Sequence, residues 1–226
     1  WIAYNQFCQH FYAPLLLQSR NKLAPNDISS TSVDGVKIDL ASKLLPIWQK
    51  GAAGHIHLQN YFLKKYSTSL SQVGAGKKNA MSISKRITLI KSLYESIKEM
   101  RFQTSMTEWG KYYEQSSNNY TDESVSSKEQ IVMDFCKKSG AKKSLDVGAN
   151  FGKYSRILAN TCDFVLSTDN DISAINNNYL HSIKQKERNL QVAYLDLLQP
   201  TPAVGWMNEE RQSFLQRADF DLVVAL

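Results

Sequence analysis

Between residues 143 and 226 the chain alternates short apolar runs with helix-like stretches, and this alternation restricts its fold more than any other feature. The runs are KSLDV (143–147), DFVLST (163–168), LQVAYL (190–195) and FDLVVAL (220–226). Helices are predicted from about Gly152, over about 171–186 and over NEERQSFLQRA (208–218). Strands separated by single helices pair in parallel through right-handed crossovers, so the class is α/β with a doubly wound parallel sheet. The first three strands end at Gly148, Asp169 and Asp196.

The preceding residues have a different texture. WIAYNQFCQHFYAPLLLQSR (1–20) places Tyr4, Phe7, Phe11 and Leu15 at the spacing of one helix face, with Pro14 expected to break or bend it. SISKRITLIKSLYESIKEMR (82–101) carries a stripe of Ile83, Ile87, Ile90, Tyr94, Ile97 and Met100, which predicts a helix. The polar, glycine-bearing stretch 67–82 predicts a mobile loop, and its GAGKK lacks the flanking residues of a phosphate loop. Ser105 with Glu108 has capping-box spacing. His55 and His57 in GHIHL would share one face of an extended segment, but no cysteine or carboxylate stands at ligand spacing, so no metal site is predicted. Ser126 or Ser127 is expected to cap a helix that stops at Gly140.

Three cysteines without a metal spacing fit the reduced thiols of a cytoplasmic protein. No apolar run approaches the about 18 residues of a membrane span, and no signal peptide is visible. Residues 1–120 carry 15 Lys and Arg against 7 Asp and Glu, whereas 121–226 carry 12 against 14. A basic half admits an anionic partner, nucleic acid included, but no motif supports one, and a solvated lysine surface is the favoured account. The absent initiator methionine and the closing apolar strand suggest a fragment of a longer protein.

The chemistry is concentrated in LDVGANFGKYS (145–155). A dinucleotide fingerprint would need glycines at 148, 150 and 153, and only Gly148 fits. A pyrophosphate at the helix N-terminus would also be repelled by Asp146. A ligand bearing an ammonium and a sulfonium would be attracted instead, and S-adenosylmethionine carries both. Gly148 and Gly152, with Ala149 and Asn150 between them, would let the backbone approach its methionyl part, while Asp146 reaches its amino group directly or through water. Asp169, followed by Asn170, would accept from the ribose hydroxyls. Asp196 would accept from the adenine amino group, with the Leu197 N–H facing the ring. Taken singly, each aspartate is explained as readily by capping the next helix.

LDVGANFGKYS with STDND (167–171) and LDLLQP (195–200) resembles the first three motifs of class I S-adenosylmethionine-dependent methyltransferases. EWGKYYEQSSNNYTDESVSSKEQIV (108–132), PTPAVGWMNEERQSFLQRADFDLVVAL (200–226) and WIAYNQFCQHFYAPLLL (1–17) resemble, more closely, a bacterial group linked to nodulation-type methyltransferases. The resemblance implies a Rossmann-like domain over 119–226, preceded by a mainly helical module over 1–118. It also implies a sheet longer than the roughly four strands present, with acceptor-side residues beyond them, so no catalytic residue is named. Similar enzymes fold a segment over the cofactor, where Tyr120 would cover the cation and Lys128 meet the methionyl carboxylate. A packed tyrosine and a surface lysine explain these two equally, and Trp206 is expected to pack rather than line an acceptor pocket. The reading is thus a methyltransferase acting on an unidentified O, N or C acceptor, in a fragment expected to be inactive by itself. Its competitors are an NAD-binding oxidoreductase domain and a non-catalytic nucleotide- or S-adenosylmethionine-binding module.

Overall fold

The computed structural model describes residues 2–21, 23–24, 27–28, 30, 32–45, 51–67, 81–101 and 121–226. The chain divides into two compact units, Trp1–Gln103 and Thr104–Leu226. The sequence-based boundary at 118/119, the Ser105–Glu108 cap, Tyr120 and, of the loop expected over 67–82, residues 68–80 fall outside the described residues.

The first unit is helical: α1 (Ile2–Phe7), a π-helical turn (Cys8–Tyr12), α2 (Ala13–Asn21), α3 (Ile38–Leu44), α4 (Ala52–Ser67) and α5 (Ile83–Glu99). Pro14 does not break its helix. The backbone widens instead, the Ala13 N–H reaching back to the Cys8 carbonyl. A proline has no N–H to continue that register, and the Gln9 carbonyl accepts the Val36 N–H at 2.9 Å. Gly35 sits where any side chain would strike this carbonyl, with φ +70°. The widened turn also rotates the helix face. The buried side chains are Cys8, Tyr12, Ala13, Pro14, Leu16 and Leu17, whereas Phe7 and Phe11, expected on the buried face, stack on each other at the surface.

GHIHL lies within α4 rather than in an extended segment, so His55 and His57 point to different sides. His55 is buried, with Tyr4 Oη 3.0 Å from Nδ1 and Ser92 Oγ 3.0 Å from Nε2. Burial lowers its pKa. No metal-binding cluster occurs among the described residues. Helix α5 is capped by the Ser82 hydroxyl, and its inward anchor is Leu93, whereas Ile83, Ile87, Ile90 and Tyr94 of the predicted stripe are exposed.

The second unit is α/β. Helix α6 (Asp122–Ser139) begins earlier than Ser126 or Ser127 would allow, because the Thr121 hydroxyl accepts the Ser124 N–H; it ends at left-handed Gly140. Then come β1 (Lys143–Val147), α7 (Lys153–Ala159), β2 (Phe164–Asp169), α8 (Ile172–Gln185) and β3 (Leu190–Tyr194). A 3₁₀ turn (Trp206–Asn208), α9 (Phe214–Arg217) and β4 (Leu222–Ala225) complete it. All pairs are parallel, in the order β3-β2-β1-β4, the doubly wound, Rossmann-like arrangement expected. The carboxylate of Asp221 fixes β4 beside β1 by accepting the N–H groups of Lys142 and Lys143, each at 2.8 Å.

The helix expected over 208–218 is mostly absent. Val204 and Arg211 exchange backbone hydrogen bonds in an antiparallel bridge, which folds the segment back on itself. Residues 208–212 offer no apolar face to hold a helix, which starts only where Ser213 and Gln216 form a capping box. Trp206, expected to pack, is 77% exposed. No helix among the described residues is long and apolar enough to cross a membrane.

Leu158 of α7 is fully buried among Val132, Cys136, Val165 and Leu190. Leu158→Ala is expected to destabilise the protein by about 2–5 kcal/mol. Leu198→Ala, at a 92% exposed site, should stay within about 0.5 kcal/mol of the parent. Urea denaturation followed by circular dichroism measures both.

Candidate functional site

Parallel pairing sets the carboxyl ends of β1, β2 and β3 along one edge, with Val147 level with Thr168 and Asp169 level with Tyr194. The loops leaving these ends carry nearly all the residues singled out from the sequence. The turn after β1 is held by its backbone. Ala149 N–H donates to the Thr168 carbonyl at 2.9 Å, and Gly152 N–H to the Ala149 carbonyl at 2.8 Å. Gly148, Asn150 and Gly152 all have positive φ, of 70°, 50° and 76°.

Asp169 joins this turn to the end of β2. One carboxylate oxygen accepts the Asn150 N–H and the other the Asp171 N–H, both at 2.8 Å. A carboxylate offers about four acceptor positions, so capacity remains for a ligand's hydroxyls. Asn170 is exposed beside it. Asp171 caps α8 through Ser173 and Ala174. At the next strand end Asp196 accepts the Leu198 N–H at 2.9 Å, and Leu197 is half exposed. Gly148, Ala149, Asn150, Gly152, Asp169 and Asn170 therefore form one cluster, with Asp196 and Leu197 one strand further along the edge.

Asp146 is placed differently. Its side chain is 2% exposed and lies under the turn, where one oxygen accepts the Ser155 hydroxyl at 2.5 Å. Ser155 Oγ is 2.7 Å from Ser167 Oγ, which accepts from Asn178 Nδ2 at 2.9 Å. The Thr168 hydroxyl donates to the Asp146 carbonyl at 2.8 Å. This buried relay joins β1, α7, β2 and α8. Sequence reasoning missed Ser155, Ser167 and Asn178. Their only signal was small polar residues at positions where a strand or helix turns inward.

Arg156 was also missed. Its guanidinium pairs with Glu187 through two hydrogen bonds, at 2.8 and 3.1 Å. It also donates to the carbonyls of Phe151 and Gly152 at 2.7 and 2.9 Å. It thereby ties the turn to the chain just past α8. Lys128 stands 5.1 Å from the ring centre of Tyr154, in the first turn of α7, and the neighbouring Glu129 pairs with Lys153 at 2.7 Å. An open cleft of about 310 Å³, lined by Arg156, Ile157, Asn160, Glu187 and Asn189, touches none of the three aspartates.

No family model matches the chain. Over its full length it is similar to the nodulation protein NoeA of Rhizobium meliloti, at 29% identity, in agreement with the nodulation-type group that its motifs resemble. The chain spans 48% of that curated relative. Among solved structures it is similar to a Staphylococcus aureus protein assigned as a caffeoyl-CoA O-methyltransferase, at 12% identity and a TM-score of 0.32 over 52% of this chain and 53% of that one. It is also similar to phosphoethanolamine N-methyltransferase 1 of Haemonchus contortus, solved with phosphoethanolamine and S-adenosylhomocysteine. There the identity is 21% and the TM-score 0.25, over 39% of this chain and 21% of that one. Overlaps this partial carry no argument, and the fold rests on the sheet itself.

Burial pushes the Asp146 carboxyl up from 3.8 to about 6, opposed by the Ser155 hydrogen bonds and assisted by the charge of Asp169. The folded protein then holds a proton that the unfolded chain has released, so this group's contribution to stability falls as pH rises from about 4 through about 6. The difference corresponds to at most about 3 kcal/mol. Asp146→Asn removes that slope. Relative to the mutant, the parent should lose about 2–3 kcal/mol between about pH 4 and about pH 7 in urea denaturation.

Proposed function

We propose that the second unit binds S-adenosylmethionine along the carboxyl edge of its sheet, and that the protein of which this chain forms a part transfers the methyl group to an O, N or C acceptor. The observation that carries the reading is the alignment of three features on one edge: an open glycine turn, Asp169 one strand on and Asp196 a further strand on. A side-chain carbon built on Gly148 would meet nothing within 4 Å among the described residues, which leaves room there for a ligand.

In this reading the methionyl part lies against Gly148 to Gly152, the ribose hydroxyls bond to Asp169 beside Asn170, and the adenine meets Asp196 and the Leu197 N–H. Asp146, beneath the turn, supplies the negative charge that favours an ammonium or sulfonium and opposes a pyrophosphate. Lys128 and Tyr120 belong to a segment that would close over the cofactor, within a domain taken as 119–226 after a helical module of 1–118. The bound cofactor supplies an electrophilic methyl group. The chain's contribution is to hold that group in line with the acceptor, and a general base is needed only where the acceptor must lose a proton.

Calorimetry tests the assignment. The chain should bind S-adenosylhomocysteine and S-adenosylmethionine but not NAD; NAD binding without the other two would overturn it. Gly148→Ala leaves the fold bearing only the cost of a left-handed alanine, of about 1 kcal/mol, yet should sharply weaken S-adenosylhomocysteine binding. Asp169→Ala should cost about 1.5–3 kcal/mol of that affinity. A bound ammonium also favours ionised Asp146, so affinity should rise with pH through about 6 in the parent and lose this dependence in Asp146→Asn.

A further inference from the structure

Cys136 and Cys162 belong to no part of the cofactor site. Cys136 lies in the last turn of α6, and Cys162 in the connection from α7 to β2. Both are buried, at 2% and 4% exposure, and their sulfurs are 3.5 Å apart. Thr161 Oγ1 is 2.8 Å from Cys136 Sγ and donates to the Leu158 carbonyl at 3.2 Å. The third cysteine, Cys8, is buried in the other unit.

Two sulfurs in contact are within a side-chain rotation of the about 2.05 Å bond of a disulfide. Both positions are set by regular backbone. Cys136 is helical, and Cys162 is held by its N–H to the Leu158 carbonyl at 2.9 Å. Thiols held together in the folded state have a high effective concentration toward each other, so a first oxidation on one is captured by the second rather than by solvent.

We propose that Cys136 and Cys162 form a reversible intramolecular disulfide with a low-molecular-weight disulfide oxidant, stapling the end of α6 to the α7–β2 connection. The thiolate of one cysteine attacks the oxidant, forming a mixed disulfide and expelling one small thiolate. The second cysteine, as thiolate, attacks the protein sulfur of that mixed disulfide and expels the other half. Two electrons pass to the oxidant, which leaves as two thiols, and the two cysteine protons are taken up in forming them. Burial raises the Cys136 thiol pKa, so closure accelerates as pH rises through the alkaline range. The pair lies toward the amino edge of β2, opposite the Gly148 turn, so the bridge is independent of the cofactor reading.

The test incubates the folded chain with oxidised glutathione at neutral and alkaline pH, quenches with acid, and maps peptides by mass spectrometry without reduction. The expected result is a peptide pair linked through Cys136 and Cys162. It should form faster at alkaline pH, vanish with dithiothreitol, and be accompanied by a higher melting temperature. Cys8→Ala should keep the link, while Cys136→Ala and Cys162→Ala should each abolish it. Glutathione adducts without the link, a link through Cys8, or thiols that stay free at alkaline pH would each overturn the proposal.

Discussion

The hydrogen bond from Ser155 to buried Asp146 is the interaction on which the second unit's functional edge depends. A carboxylate under a glycine turn is costly unless a donor meets it. Ser155 meets it from the first turns of α7, and Ser167 and Asn178 extend the contact to β2 and α8. The same residues therefore set where α7 begins, how α8 lies against β2, and how the turn between them is shaped. Had Asp146 been apolar, α7 would lose its polar anchor to the sheet.

Above this relay, backbone and side chains share the task of holding the turn. Asp169 and Thr168 at the end of β2 accept N–H groups from Asn150 and Ala149, while Arg156 takes the carbonyls of Phe151 and Gly152. Donors and acceptors of the turn are thus both met by protein. Its three left-handed residues are thus held in place by the protein itself, which would lower the cost of ordering them if the turn binds the proposed cofactor.

The strands were legible because their apolar runs are short and bounded, and the strand ends were legible because glycine and aspartate mark them. Helix limits were less so. The Thr121 cap was hidden by the equally good candidates Ser126 and Ser127, and the 208–218 helix was inferred from polar residues that in fact form a bridged loop. In the first unit, periodicity pointed to Phe7 and Phe11, and the π turn at Cys8–Tyr12 rotated a different face inward. One inserted residue per turn is invisible to a pattern that assumes regular spacing. The relay escaped notice for a related reason: Ser155, Ser167 and Asn178 become a set only once the β1–α7–β2 crossover and the return of α8 bring them together.

The two glycines of the motif show how one pattern can conceal two causes. Gly152 is glycine for the protein's own sake: a side chain there would collide with Asn178 and Arg156, the two groups that secure the turn from below. Gly148 has no such neighbour among the described residues. Its backbone adopts φ +70°, a conformation that favours glycine whatever the space around it, as at Gly140, where φ is +65°. Under the proposed function the open space would also receive the ligand. The spacing DxGxxxG thus joins a glycine that packing requires, its second, to one that its backbone conformation favours, its first, and the proposed function would place a ligand above that first glycine and the charge of Asp146 beneath it.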